Sequence, residues 1–76
     1  IEIDRQHAIF EVEIPESWIG KSIGELDIRR KYGINILATK QDGKTNVTVT
    51  PNLVLTRDLT ILALGEYKEL QKCFQI

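Results

Sequence analysis

The sequence predicts an α+β domain: a mainly antiparallel sheet of about four to five strands packed with two helices, in the order strand-helix-strand-strand-strand-helix. Three observations carry this. His7–Ile14 alternates apolar and polar residues with period two. Ser22 and Glu25 have the spacing of a capping box, and Gly33 is placed to stop the helix that follows. Two β-rich runs flank Asp42-Gly43, a strong hairpin signal, and a third apolar run follows at Leu59–Leu64.

In the first strand Ala8, Phe10, Val12 and Ile14 share one face, so Phe10, Val12 and Ile14 are expected in the core. Pro15 cannot donate to a ladder and ends the strand. Trp18 and Ile19, in the connector Glu16–Lys21, are too apolar to stand in water, so the connector packs on the sheet or on a partner. The capping box predicts one helix over about Ile23–Tyr32. Ile34–Lys40 and Thr45–Thr50 then form a hairpin, the second strand carrying Val47 and Val49 on one face and ending at Pro51. Thr56–Asp58 reads as a turn. Leu59–Leu64 is the central-strand candidate, broken by Gly65. Glu66–Phe74 fits a closing helix with Leu70, Cys73 and Phe74 inward.

Size bounds what such a fold can do. A chain of 76 residues makes one small domain, and a chain of this size buries only roughly 60% of its extended surface. Cys73 is the single cysteine, so no disulfide within the chain compensates, and a reducing compartment is expected. A partner chain is the expected source of the missing burial. The net charge of −1, with both signs scattered, lacks the basic face of a general nucleic-acid binder. No apolar run approaches the ~20 residues that span a bilayer, and no secretory signal opens the chain. The first residue is Ile1 rather than methionine, from which an excised part of a longer protein is expected.

The chemistry gathers in Ser22–Leu37. Asp27, Arg29 and Asn35 stand there among Ile23, Ile28, Ile34 and Ile36. One arginine and two hydrogen-bonding side chains framed by isoleucines suit an anion attached to flat, apolar rings. Elsewhere the residues have structural readings. Ser22 is a cap, His7 a solvated strand-edge residue, Cys73 a small apolar helix residue, Trp18 a packing or dimer residue, and Tyr32 and Tyr67 rim residues. No Gly-rich phosphate loop is present, and nothing resembles bond-making chemistry, so the expectation is a binding module and not an enzyme.

Three segments carry a family likeness: Gly20–Ile36, the hairpin followed by Thr50-Pro51, and Leu55–Gly65. With them the chain resembles, over about Ala8–Phe74, the TrkA-C (RCK C-terminal) domain of bacterial potassium-transport regulators. In that family the third segment has glycine before the aspartate, where this chain has Arg57. The first segment is similar to the motif of the Ktr-type subgroup that binds cyclic di-AMP. That motif has two aliphatics, two free positions, aspartate, one free, arginine, five free, asparagine and an aliphatic. Ile23, Asp27, Arg29, Asn35 and Ile36 fall in register, Gly24 replaces the second aliphatic, and Pro51 falls where the subgroup sets a proline against the ligand.

The resemblance implies a regulatory lobe of a cytosolic gating subunit, cytoplasmic and peripheral to the inner face of the membrane. Cyclic di-AMP would be held at the interface of a homodimer, and a potassium channel or transporter membrane subunit engaged through the parent protein. It also implies that occupancy lowers potassium uptake. Arg29 would fork onto a phosphate, Asn35 read an adenine edge, and Ile23, Ile28, Ile36 and Pro51 sandwich the purine. Asp27 would orient Arg29 or accept from the adenine amino group. No nucleic acid, no membrane insertion and no metal is expected. The alternatives are a purely structural dimerisation lobe, or a lobe for another ligand such as a divalent cation, with oxygens from Glu11, Glu13, Glu16 and Asp58.

Overall fold

The computed structural model describes all 76 residues. Four strands, β1 (His7–Glu13), β2 (Asn35–Gln41), β3 (Lys44–Asn46) and β4 (Thr60–Glu66), form one sheet in the order β1-β4-β2-β3, with every pairing antiparallel. The most apolar run therefore does lie in the interior of the sheet, β4 being flanked by β1 and β2. Three short helices follow the chain as α1 (Ile23–Leu26), α2 (Ile28–Tyr32) and α3 (Tyr67–Cys73), with a single 3₁₀ turn at Glu16–Trp18. Ile61 and Ala63 from β4, Ala8 and Val12 from β1, and Ile34 just before β2 meet Leu26, Ile28, Leu55, Leu70 and Phe74 in one core. Phe10 packs against that core while half-buried, and Ile14 is fully inside.

The expected single helix over Ile23–Tyr32 is two helices. Asp27 has left-handed backbone angles (φ 52°, ψ 46°) and divides them. Asp tolerates this conformation better than most residues. The break has a packing cause. In a continuous helix, residues two apart point roughly 200° away from each other, so Leu26 and Ile28 cannot both face the sheet. With the left-handed residue between them, both are buried. Gly33, also left-handed, ends α2 as expected, its N–H donating to the Arg29 carbonyl.

Two strand expectations also change. The return strand of the hairpin is Lys44–Asn46 and not Thr45–Thr50. The Asp42-Gly43 turn forms, both residues having positive φ. At Asn46, however, the side-chain oxygen accepts from the Thr48 N–H at 2.9 Å, and this local turn draws the chain off the sheet. Val47 is left 76% exposed. Gly65 does not break β4: it pairs with Ala8 inside the strand. A Cβ there would come within 3.2 Å of Ile34 Cγ1 and 3.4 Å of the Gly33 carbonyl oxygen, so the glycine serves close approach between β4 and the start of β2.

Trp18 packs within the chain, its ring centroid 5.4 Å from Phe74 and 5.8 Å from Tyr32. Tyr32 thus belongs to a half-buried aromatic cluster and not to a rim, while Tyr67 is exposed and meets Phe10 edge-on. Cys73 is half-buried, and burial pushes its thiol pKa up. The turn at Thr56–Asp58 contains no residue of positive φ, so the glycine usual in the family is not required there. Arg57 instead donates both guanidinium N–H groups to Glu16, which lowers that carboxylate's pKa.

Of the acidic residues considered for a divalent cation, Glu11, Glu13, Glu16 and Asp58, all but Glu13 are already engaged, each with separate partners. Glu11 accepts from the Thr60 hydroxyl at 2.8 Å and from Lys40 at 3.2 Å, Glu16 pairs with Arg57, and Asp58 accepts from Thr56 and Gln41. No group of three or more potential ligands is close enough to hold a metal ion. Hydrogen bonding lowers the pKa of Glu11, Glu16 and Asp58. A carboxylate depressed in the folded state adds stability above its unfolded pKa and loses it as pH falls through the folded value. The melting temperature should therefore hold from pH 7 to 5, then fall as pH passes below 4.5, the ordinary Glu value. Glu11→Gln should fall less steeply on acid titration; an unchanged slope would remove this pair from the account.

Candidate functional site

Four backbone hydrogen bonds build the site's frame. The Gly20 N–H donates to the Leu55 carbonyl at 2.8 Å and Leu55 N–H to Lys21 at 2.9 Å. Ile23 N–H donates to Leu53 at 2.9 Å and Gly24 N–H to Pro51 at 2.8 Å. The segment before and into α1 is thus laced to residues 51–55 as an irregular antiparallel ribbon. Ser22 completes the capping box: its Oγ accepts from Glu25 N–H at 3.2 Å, and Glu25 Oε1 accepts from Ser22 N–H at 2.7 Å. The amides at the start of α1 are consequently all engaged, since Leu26 N–H also donates to the Ser22 carbonyl. No free backbone donor remains at the start of α1 to hold an anion.

Between this ribbon, α2 and the start of β2 lies a solvent-open cleft of about 350 Å³. All seven residues singled out in the sequence line it: Ile23, Asp27, Ile28, Arg29, Asn35, Ile36 and Pro51. Gly24, Ile34, Val49 and Thr50 complete the lining. Ile28 and Ile34, 3% and 1% exposed, are core residues that form its floor. Ile28 is therefore less a wall than expected. Ile23, Ile36 and Val49 are half-buried, and Pro51 is exposed at the lip. Sequence reasoning missed Val49 and Thr50 as lining because they were read as strand residues. The turn that Asn46 makes with Thr48 was the available signal.

The polar groups in the cleft differ in their commitments. Asp27 Oδ2 accepts from Arg30 Nε at 2.6 Å, so the carboxylate orients Arg30 and not Arg29. The Arg29 guanidinium has no ion pair and no side-chain hydrogen bond within the chain. Asn35, half-buried at the first position of β2, pairs in register with Leu64 and presents an amide with both donors and an acceptor. An uncommitted cation, an amide and apolar walls can receive an anion, a hydrogen-bonding edge and a flat ring. A larger cleft, about 490 Å³, lies between Glu11–Glu16 and Cys73–Ile76, but its charged residues are carboxylates.

The sequence model of the TrkA-C domain matches residues 8–75. The chain belongs to the TrkA-C domain family. Among curated proteins, the chain is similar to the Ktr system potassium uptake protein C of Bacillus subtilis (strain 168), 26% identical over 72 residues. The match takes in 95% of this chain and 33% of that protein, so the chain spans about a third of the relative's length. Among solved structures, it is similar to the RCK C domain of the potassium transport protein KtrA in complex with cyclic diadenosine monophosphate. The TM-score is 0.79 and the identity 35%, over 87% of this chain and 78% of that one. The RCK_C domain dimer of S. agalactiae BusR in complex with c-di-AMP matches with a TM-score of 0.69 and 27% identity, over 87% of each chain. Both likenesses agree with the α+β fold observed, and in neither the sequence nor the structure is there a helix long and apolar enough to cross a membrane.

Proposed function

We propose that this TrkA-C domain is the ligand-binding lobe of a potassium-transport regulator and that its ligand is cyclic di-AMP, bound where two copies of the cleft face each other. The single observation that carries the reading is the convergence of the five in-register motif residues, with Pro51 and Ile28, on one cleft around an unpaired guanidinium. The KtrA and BusR domains, both solved with this nucleotide, support it.

Size favours the two-fold arrangement. At about 350 Å³ the cleft lies near the small end of the range for ligand pockets. A cyclic dinucleotide has two purines and two phosphates related by two-fold symmetry, so one cleft suits half of it, and a symmetric pair supplies the other half. Each Arg29 then takes one phosphate through its planar fork, each Asn35 one adenine edge, and Ile23, Ile36 and Pro51 hold the ring above the floor of Ile28. Asp27, already neutralised by Arg30, adds little repulsion to the phosphates. The parent protein, longer than this lobe and lying in the cytoplasm against a potassium channel or transporter subunit, would receive the bias. The ligand shifts that equilibrium only by its differential affinity for the two inter-subunit geometries. Its action is regulatory binding, without bond-making chemistry.

A thermal-shift screen tests the reading against a structural lobe. Cyclic di-AMP at a hundredfold over Kd should raise the melting temperature by about 10 °C or more, with ATP, calcium and magnesium giving no comparable shift. Equal melting temperatures across all four would leave only the dimerisation role.

A further inference from the structure

Gly24 stands where the subgroup motif has an aliphatic side chain, and the space is not left open. A Cβ built on Gly24 meets Pro51 Cβ and the Pro51 carbonyl oxygen, each at 3.1 Å. That is closer than side-chain carbons ordinarily approach, so any larger residue must push Pro51 away. The glycine is not needed for its backbone angles, because its φ is not positive. It is needed for close approach. The short Gly24 N–H to Pro51 carbonyl hydrogen bond, 2.8 Å, is the contact that the missing side chain permits.

We infer that Gly24 is a positioning residue for the cleft: by having no side chain it lets residues 49–51 close onto α1, so that Pro51 itself replaces the absent aliphatic wall. The inference rests on the proposed ligand reading for its effect on affinity, but not for its geometry. Val49, Thr50 and Pro51 reach the cleft only because the chain leaves β3 after Asn46. Beyond the Thr50 carbonyl to Leu53 N–H turn, Gly24 is the α1 residue whose amide holds Pro51 in place. Pro51 is exposed and rigid, and a wall of that kind can shift without the core being disturbed.

The test uses Gly24→Ala and Gly24→Val in the chain as it stands, read in two independent ways. The first needs no ligand. By NMR, Gly24→Ala should move the amide resonances of residues 49–53 and speed hydrogen exchange at position 24, while those of β1 and β4 stay in place. Unmoved resonances at 49–53 would overturn the inference whatever the ligand proves to be. The second is calorimetric titration with cyclic di-AMP. Loss of one apolar wall should weaken binding by about tenfold in Gly24→Ala and more in Gly24→Val, the scale of a misplaced methylene-sized contact in an apolar pocket. In a Pro51→Gly background the same Gly24→Ala change should cost little further affinity: the carbonyl oxygen at position 51 is still displaced, but the ring that forms the wall is already gone. Equal losses in both backgrounds would show that Gly24 does not act through Pro51. A wild-type chain that binds no cyclic di-AMP would overturn the ligand reading, and the NMR result would then decide the Gly24 contact alone.

Discussion

Leu55→Ala is expected to lower the melting temperature by about 10–30 °C, although Leu55 lies outside the sheet. Leu55 is completely buried in the core, and its backbone makes two of the four hydrogen bonds that lace residues 51–55 to the segment before α1. Truncating a buried leucine costs about 2–5 kcal/mol in transfer and cavity terms. A core of this size rarely supplies more than about 3–5 kcal/mol in a domain below 80 residues. The substitution thus removes much of the net stability, and it loosens the ribbon that suspends Pro51 over the cleft. Val47→Ala is the control: Val47 is 76% exposed, and surface changes of this kind stay within about ±0.5 kcal/mol. A shift below about 4 °C for Leu55→Ala in a thermal melt, under 1 kcal/mol, would mean that the ribbon is not part of the cooperative core.

Much of the fold was legible because local chemistry and tertiary demand agree in most segments. Period-two alternation placed β1, the Asp42-Gly43 pair placed the hairpin turn, and the Ser22–Glu25 reciprocal cap formed as its spacing required. Two of the departures, at Asp27 and Gly65, arise where a tertiary contact overrode the local pattern, and the third from a local side-chain turn. Asp27 breaks a helix that its propensities would continue, since Leu26 and Ile28 both have to reach the core. Val47 and Val49 have the spacing of a strand face, yet the Asn46 side chain turns the backbone before either can pair. Gly65 reads as a breaker because the approach of Ile34, which makes a glycine necessary within β4, is separated from it in sequence.

The site was legible in a different way. The spacing of Asp27, Arg29, Asn35 and Ile36 is a pattern along the chain, and it lines one cleft because α2 stops at Gly33 and β2 begins at Asn35. The partners within that pattern were misread: Asp27 precedes two arginines, and Arg30, three residues on, meets it across a helical turn, where Arg29, two residues on, does not. That choice is what frees Arg29. Likewise, the glycine at position 24 reads from sequence as a wall removed, whereas the fold brings Pro51 against it.

The freed guanidinium is the centre of the account. A phosphate held by Arg29 gains a charge-assisted, two-pronged contact that no other cation lining the cleft can supply, and the amides at the start of α1 are already spent on Ser22, Leu53 and Pro51. Breaking such a pair leaves a phosphate without its partner, a loss of more than about 2 kcal/mol. Arg29→Lys keeps the charge and loses the fork, so it should fall between wild type and alanine. Arg57→Ala removes an arginine committed to Glu16 and outside the cleft, and should leave affinity unchanged. Calorimetric titration of wild type and Arg29→Ala with cyclic di-AMP is the direct measurement. The account predicts saturable binding by wild type at one nucleotide per two chains, and a dissociation constant at least about thirtyfold weaker in Arg29→Ala. Equal affinity in the two proteins, or no binding by the wild type, would contradict it.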